Sequence, residues 1–573
     1  MSARPARIDA DLLDRVRSWL ADDPDPHTAA ALNATLTAAV EGDPVAGDDL
    51  DHQFRGRLEF GTAGLRAPMG WGPRRMNRVT VGCAAAGLSS WLRAHDARSV
   101  VIGYDARHHS RVFATDTAAI LAAAGLTARL LPRPLPTPVL VFAIGTLDAS
   151  AGVMVTASHN PAADNGYKVY VGRRPIVAPV DREIAALIDA SGPLRDVSRA
   201  DTWTTLDETV VQAYLARAAE QVEPAAPKDL TVVYTPVHGV AGPVLLAAFE
   251  RAGFPAPRVV AAQAVPDPEF PTVTSPNPED PETLSLALDL AATTHADLLL
   301  ATDPDGDRCA VAVPDPGHPV QAGSVDVRWR VLTGDEVGDL LGEFLTGQVG
   351  PGAYATTIVS GSRLAAIAAR HHRAFAQTLT GFKWLAGVPD LRYAYEEAIG
   401  YCVDPSAVPD KDGVTAALRV ADLAARLRAD GRTLLDALDD LDRTYGVHRT
   451  AQVTVAVAGD HRSRIAARLA ALAAKPPTRL ADRAVVHVDD LRVGSPDRPS
   501  TDGVRLSLEG RSPGSTVRVV VRASGTEPKI KAYLEVALPA RPGGGDPPTL
   551  TADQRAASAL LAALCTDVAR LLE

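Results

Sequence analysis

The chain has 573 residues, 46% of them apolar and 22% charged, with a formal net charge of −11. That length exceeds a single core and predicts about four domains, and the acidic balance argues against a nucleic-acid-binding protein. No apolar run reaches membrane-spanning length, and the first residues carry no signal-type stretch.

Cys83, Cys309, Cys402 and Cys565 lie far apart with no CxxC, which suits a reducing cytoplasm and argues against zinc or a disulfide framework. Of the 58 basic residues only seven are lysines: Lys168, Lys228, Lys383, Lys411, Lys475, Lys529 and Lys531. Where arginine is the default cation, a lysine marks a place that suits a compact charge able to exchange a proton.

In chain order, residues 1 to about 50 predict two helices joined by a loop at Asp22–Thr28. Leu58–Arg66 follows with spaced glycines and ends in Arg66, a weak phosphate-contact signal. Helix Val79–Arg93, strand Ser99–Tyr104, helix Val112–Ala124, strand Thr127–Leu131, helix Thr137–Gly145 and strand Ser150–Val155 then alternate, which predicts a parallel α/β unit. The strand ending at Val155 runs into Thr156-Ala157-Ser158-His159-Asn160-Pro161. Pro161 stops further pairing and biases Asn160 away from helix. Ser158 therefore belongs on a tight loop at a strand end, where an open α/β sheet keeps its ligands. A serine beside a histidine reads either as an activated nucleophile or as a polar turn.

A second unit begins near Lys228, with strand Leu230–Tyr234, helix Pro243–Ala252, a proline-dense irregular loop at Pro266–Glu282, and strand Asp297–Ala301. That strand ends in Asp303-Pro304-Asp305-Gly306-Asp307-Arg308. Three carboxylates at alternate positions on a loop broken by proline and glycine can converge on one hard cation, and oxygen-only ligation suits Mg²⁺. An EF-hand is ruled out, because the sixth loop position is Arg308 and the twelfth is Pro314. The alternative is a solvated acidic turn.

The third unit has helix Glu336–Leu345, strand Tyr354–Val359, helix Arg363–His371, the Gly381-Phe382-Lys383-Trp384 segment, and a strand entering Glu396-Glu397-Ala398-Ile399-Gly400. Adjacent glutamates at a strand end suit sugar hydroxyls, which carboxylates accept well. Lys411 sits in a short loop before helix Val414–Arg428. The fourth region, α+β, holds Arg522-Ala523-Ser524-Gly525-Thr526-Glu527-Pro528-Lys529 between two strands. A guanidinium, hydroxyls, free amides around Gly525 and an ammonium make a phosphate cradle. Residues 541–548 predict a flexible linker before helix Ala552–Leu572.

TASHNP, DPDGDR, EEAIG and RASGTEP, in this order, resemble the α-D-phosphohexomutase superfamily of phosphoglucomutases and phosphomannomutases. FGTAGLR, GFKW and YEEAIGY look more like its larger branch, related to phosphopentomutase. The resemblance implies three related α/β domains with mixed sheets and a smaller C-terminal α+β domain around one cleft. The expected divisions are an N-terminal helical extension, 1–57, then 58–222, 223–328, 329–446 and 447–573.

It further implies a phosphosugar mutase that interconverts hexose 1-phosphate and hexose 6-phosphate, glucose or mannose, through a phosphoserine and a sugar 1,6-bisphosphate. A phosphopentomutase or a sugar-phosphate phosphatase is the alternative. Ser158 matches the phosphoserine; it and Asp303, Asp305 and Asp307 match the Mg²⁺ ligands. Arg66, His159, Lys168 and Lys411 match positions near the reacting oxygens, the last three being candidate bases. Lysine would need a depressed pKa for that task, which neighbouring cations would supply. Arg308, Lys383, Glu396, Glu397, Arg522, Ser524, Gly525, Thr526 and Lys529 match substrate-binding positions. The family commonly has serine where this chain has Ala398, which predicts relaxed preference between glucose and mannose phosphates. The expected partners are small-molecule sugar phosphates.

Overall fold

The computed structural model describes residues 9–61, 64–315, 329–457, 461–494, 499–524 and 529–573. Three helices come first, Ala10–Asp22, Pro26–Val40 and Pro44–Phe54, one more than the sequence predicts. The extra break arises at Asp43, whose carboxylate accepts from the amides of Val45 and Ala46 ahead of a proline in the first turn, a strong helix start.

The first sheet contains β1 (Leu65–Pro68), β2 (Ser99–Tyr104), β3 (Thr127–Leu130), β4 (Ala151–Val155), β5 (Asp164–Val171), β6 (Arg174–Pro175) and β7 (Thr204–Thr205), in the order β1-β5-β4-β2-β3-β7 with β6 on β5. The second contains β8 (Val232–Thr235), β9 (Arg258–Val259), β10 (Leu298–Thr302), β11 (Cys309–Pro314) and β12 (Trp329–Val331), in the order β12-β11-β10-β8-β9. The third contains β13 (Ala353–Thr357), β14 (Ala374–Thr378), β15 (Leu391–Glu396) and β16 (Gly400–Cys402), in the order β14-β13-β15-β16.

All three sheets follow one plan. Strands joined through helices pair in parallel, as β2 does with β3 and β4, β8 with β10, and β13 with β15. The last parallel strand then turns back into an antiparallel neighbour, β4 into β5, β10 into β11 and β15 into β16. The first unit is therefore mixed, not parallel throughout. Loop length is the reason: a parallel connection needs a crossover of about a dozen residues or more, and the loops 156–163, 303–308 and 397–399 are far shorter. Each of these reversals carries one of the motifs singled out above.

The fourth sheet is antiparallel throughout. It contains β17 (Val447–Ala456), β18 (Arg479–Leu480), β19 (Arg483–Asp490), β20 (Gly503–Leu508), β21 (Thr516–Ala523) and β22 (Lys529–Leu538), in the order β17-β22-β21-β20-β19-β18. The closing helix runs from Pro547 to Leu572, so the last two residues of the predicted linker, Pro547 and Pro548, belong to its first turn. Asp546 caps it through the Thr549 amide, Leu550 is buried, and Arg541 pairs with Asp553 in its second turn.

One buried apolar cluster runs through the first three units, from Val101 and Tyr170 through Leu245 and Leu300 to Tyr393 and Leu418. The fourth sheet has a separate core, with Leu469, Val504, Val519, Leu534 and Leu564. Its apolar contact with the third unit is a small cluster that includes Ile358, Val359, Val520 and Tyr533.

Glycine sets the close approach of the second and third units. The Gly413 amide donates to Gly306 O at 3.2 Å, and a Cβ at Gly413 would stand 2.3 Å from the Arg308 carbonyl oxygen. Arg308 and Gly400 form an isolated bridge beside it. Gly413→Ala is expected to cost about 1–3 kcal/mol of overpacking strain, read as a lower midpoint of thermal unfolding; an unchanged midpoint would contradict this packing.

Candidate active site

The loops meet at a cavity of about 890 Å³ lined by all four units. The first supplies Arg66, Ser158, His159 and Lys168, and the second supplies Asp307 and Arg308. The third supplies Lys383, Glu396, Glu397 and Lys411, and the fourth supplies Arg522, Ser524, Lys529 and Lys531. Gly525 and Thr526 lie outside the described residues.

Ser158 sits between β4 and β5 with φ of 53°, in the left-handed region that non-glycine residues enter at a cost of about 1–3 kcal/mol. Arg107 holds it there. One guanidinium nitrogen donates to Ser158 O at 2.6 Å and Asn160 O at 2.5 Å, and another to Pro161 O at 2.8 Å and Asp164 O at 3.1 Å. Asp105 pairs with Arg107 at 3.4 Å and takes the Ser110 hydroxyl at 2.6 Å. Four carbonyls on one planar fork is a task that a lysine cannot perform. Sequence reasoning passed over Arg107, although its place just after β2, at the carboxyl end of the sheet, was a usable signal.

The Ser158 hydroxyl donates to Asp303 Oδ2 at 2.6 Å and lies 3.2 Å from His159 Nδ1. Asp303, Asp305 and Asp307 are fully buried, and one oxygen from each lies within 4.8 Å of the others. Lys168, reaching over from β5, donates to Asp305 Oδ2 at 2.6 Å and Asp307 Oδ2 at 2.9 Å. Lys411 approaches Asp307 Oδ2 at 3.3 Å. Thr137 donates its hydroxyl to Asp305 Oδ2 at 2.6 Å and its amide to Asp305 O at 2.9 Å, a further contact that sequence reasoning missed.

Among the described residues, Asp305 Oδ1 and Asp307 Oδ1 are buried without a hydrogen-bond partner. A buried carboxylate oxygen left unpaired is costly, and an oxygen-preferring divalent cation would satisfy both at once. The three aspartates and the Ser158 hydroxyl therefore fit a metal.

Charge sets the protonation of the cluster. Burial pushes the Asp303 carboxyl well above the usual range, and Asp305 and Asp307 add to that. Burial also acts on Asp307, but Lys168, Lys411 and Arg308 outweigh it and hold this group low. Burial alone would lower Lys168 and Lys411; the aspartates reverse it, so both ammoniums are held more firmly than usual. This corrects the expectation that neighbouring cations depress a lysine here: carboxylates are the nearer and stronger neighbours. His159 moves the other way, lowered well below its ordinary value by burial and then by Arg308 and Arg66, so its imidazole is neutral.

Arg66 lies in β1, its guanidinium 3.5 Å from Asn160 Oδ1 and its Nε buried without a partner among the described residues. Arg308 pairs with Glu279 at 3.0 Å. Glu279 belongs to the proline-dense loop, which also brings Thr274, Ser275 and Asn277 to the cavity wall; the sequence showed that loop only as irregular. Lys383, half-buried at the cavity wall, is lowered by that burial. Burial raises Glu396 to about 7, against the pull of Lys411. Glu397 accepts the hydroxyls of Thr357 and Ser360 at 3.0 and 2.9 Å, so one of its oxygens is committed to the third unit. The Arg522 Nε is buried without a partner among the described residues, and the Ser524 amide donates to Lys529 O at 2.9 Å, closing the base of its loop.

Three family models match the chain in order: phosphoglucomutase/phosphomannomutase alpha/beta/alpha domain I at 57–194, domain II at 212–317 and domain III at 333–445. A Haemophilus influenzae protein named probable phosphomannomutase is 44% identical, over 80% of this chain and 93% of its own length. A Schizosaccharomyces pombe protein named probable phosphoribomutase is 35% identical, over 83% of this chain and 86% of its own. The crystal structure of a phosphoglucomutase/phosphomannomutase family protein from Burkholderia thailandensis superposes with a TM-score of 0.63 at 20% identity, covering 88% of this chain and 97% of that one, a likeness of fold.

Two outcomes test this geometry. Arg107→Lys removes the fork beneath the serine loop and is expected to lower turnover by about 10–100-fold, on the scale of small misplacements near a reacting centre; turnover within twofold of the parent would contradict it. Glu396, with a value of about 7, binds a proton across neutral pH. Its ionised form is the better hydroxyl acceptor, so kcat/KM should rise with pH and level off above about 7, and Glu396→Gln should remove that limb. The same limb surviving in Glu396→Gln would assign it to another group.

Proposed function

The chain belongs to the phosphoglucomutase/phosphomannomutase family of isomerases, and from that premise we propose that it interconverts a hexose 1-phosphate and a hexose 6-phosphate through phosphorylated Ser158. The single observation that carries the reading is that one cavity is lined by both the serine loop with Asp307 and a second set of cationic and hydroxyl side chains from the fourth unit. That second set is Arg522, Ser524, Lys529 and Lys531. A phosphatase on the same phosphoserine has no need of the second set. A mutase must grip one phosphate while the other reacts.

In this reading Asp303, Asp305, Asp307 and Ser158 would hold a Mg²⁺ ion, which would supply positive charge to offset that of the phosphoryl group in transit. The residues do the rest. Arg107 fixes the serine loop, while Arg66 and Arg308 add positive charge beside it. Glu396 and Glu397 orient sugar hydroxyls. Arg522, Ser524 and Lys529, with Gly525 and Thr526 as further contributors, anchor the phosphate that does not react.

The free sugar hydroxyl attacks the phosphorus on Ser158, the Ser158 Oγ–P bond breaks, and a sugar 1,6-bisphosphate forms. The hydroxyl proton leaves to the neutral imidazole of His159; Lys168 and Lys411, the other two candidates, are held as ammoniums and have no lone pair to accept it. The bisphosphate turns round, its other phosphate returns to Ser158, and the proton returns to the sugar oxygen. The 44% identity to a phosphomannomutase relative supports a hexose. A pentose is the second reading, supported by the phosphoribomutase relative and by Ala398, which adds no hydroxyl where the family commonly has one. Among the described residues no helix is long and apolar enough to cross a membrane, and all four cysteines are free; the reading places the enzyme in a reducing cytoplasm.

The test is a coupled assay with glucose 1-phosphate, mannose 1-phosphate and ribose 1-phosphate under a bisphosphate activator. A hexose should be preferred. Ser158→Ala should abolish steady turnover, and chelation by EDTA should do so reversibly on adding Mg²⁺. Turnover near the parent level in Ser158→Ala would refute the mechanism.

A further inference from the structure

The turn after β13, residues 357–362, is bonded from two sides. On one, Ser360 and Thr357 donate their hydroxyls to Glu397 Oε2, and the Glu397 amide donates to Ser360 Oγ at 3.3 Å. On the other, Arg518 in β21 donates to Ser360 O at 2.6 Å and Ile358 O at 3.2 Å, and pairs with Glu535 in β22 at 2.7 Å. Glu535 in turn accepts the amide and the hydroxyl of Ser362, each at 2.7 Å.

The placement of the Arg518–Glu535 pair gives these contacts a consequence. The two residues face each other across β21 and β22, followed in register by Val520 with Tyr533 and Arg522 with Lys531. Side chains two apart on a strand share a face. One face of two strands thus carries the Arg518–Glu535 pair at one end and the cavity-lining Arg522 and Lys531 at the other. The Glu535 side chain is 4% exposed and Arg518 16%, so losing Arg518 would leave a nearly buried carboxylate short of its counter-charge. The fourth sheet has its own core and meets the third unit through a small apolar cluster; Arg449 and Gln554 bond Asp442 elsewhere, while the Arg518 bonds are the ones that reach the turn holding Glu397.

We propose that Arg518, held by Glu535, is a positioning residue that couples the seating of a phosphate on the fourth sheet to the placement of the Glu396–Glu397 loop through Ser360. When a phosphorylated sugar draws Arg522 and Lys531 onto its anchored phosphate, the same strands set the 357–362 turn. That turn fixes the Glu397 carboxylate against the sugar ring. A bare phosphate occupies the anchor without using the sugar loop. The proposal rests on the mutase reading for the identity of the ligand, and on the observed bonds for the coupling.

The test compares affinities for glucose 1-phosphate and inorganic phosphate by calorimetry in the full-length protein, Ser360→Ala, Arg518→Lys and the double variant. Each single change should weaken glucose 1-phosphate about tenfold, the scale of one hydrogen bond to a charged group, and leave inorganic phosphate within about twofold. Because the two residues act in series, the double variant should weaken the sugar phosphate no further than about tenfold. Losses that multiply to about a hundredfold, or an equal loss for inorganic phosphate, would overturn the coupling. Ser360→Ala removes a single hydroxyl and decides the matter if Arg518→Lys folds poorly: unchanged glucose 1-phosphate affinity in that variant overturns the proposal. A parent protein that binds sugar phosphate without isomerising it refutes the mutase reading alone, and the affinity cycle still decides the coupling.

Discussion

Three buried carboxylates within 4.8 Å of one another cannot stand alone. Each pair of like charges at that separation costs roughly 3 kcal/mol even at an effective dielectric of about 20. The fold meets this by drawing cations from elsewhere in the chain. Lys168 comes from the first sheet and Lys411 from a loop of the third unit, and both reach aspartates on a loop of the second. The charge that suits the loop to a metal also binds three units around one point. Thr137 and Gly413 then tie the backbone of the same loop to its neighbours. The apolar cluster through these units supplies cohesion, while the carboxylate cluster supplies register.

The three units place their chemistry at the same topological position, the turn where the last parallel strand reverses into an antiparallel one. At such a turn the backbone leaves the sheet at its carboxyl end with few bonds to satisfy, so side chains and free amides face the cavity. The fourth sheet uses a different device, a loop between two antiparallel strands, and keeps a separate core. Three units share a core around the serine and aspartate loops, and the fourth, with its own core, is joined to the third by a small apolar cluster and a set of polar bonds.

Much of this was legible in the sequence because each loop is local. Ser158, the three aspartates, Glu396 and the Arg522 segment announce themselves within a few residues, and strand limits such as Ser99–Tyr104 follow from apolar runs between turns. What was not legible depends on distant partners. Arg107 bonds carbonyls 51 to 57 positions away; its place after β2 puts it at the carboxyl end of the sheet but does not name those partners. The protonation of Lys168 and Lys411 took the opposite direction from that expected, since it is set by which charges stand nearest in space. The reversal of β5 against β4 could have been read from loop length alone. The role of the proline-dense loop could not, because its polar residues gain meaning only opposite a cavity.

The central claim is that Ser158 carries a phosphate to and from a sugar rather than to water. Its most direct test is a single turnover with the protein labelled by radioactive phosphate on Ser158 and mixed with an excess of unlabelled glucose 1-phosphate and Mg²⁺. The account predicts that the label appears on sugar phosphates, the bisphosphate first. Label released chiefly as inorganic phosphate, or no label taken up by Ser158 at all, would contradict it.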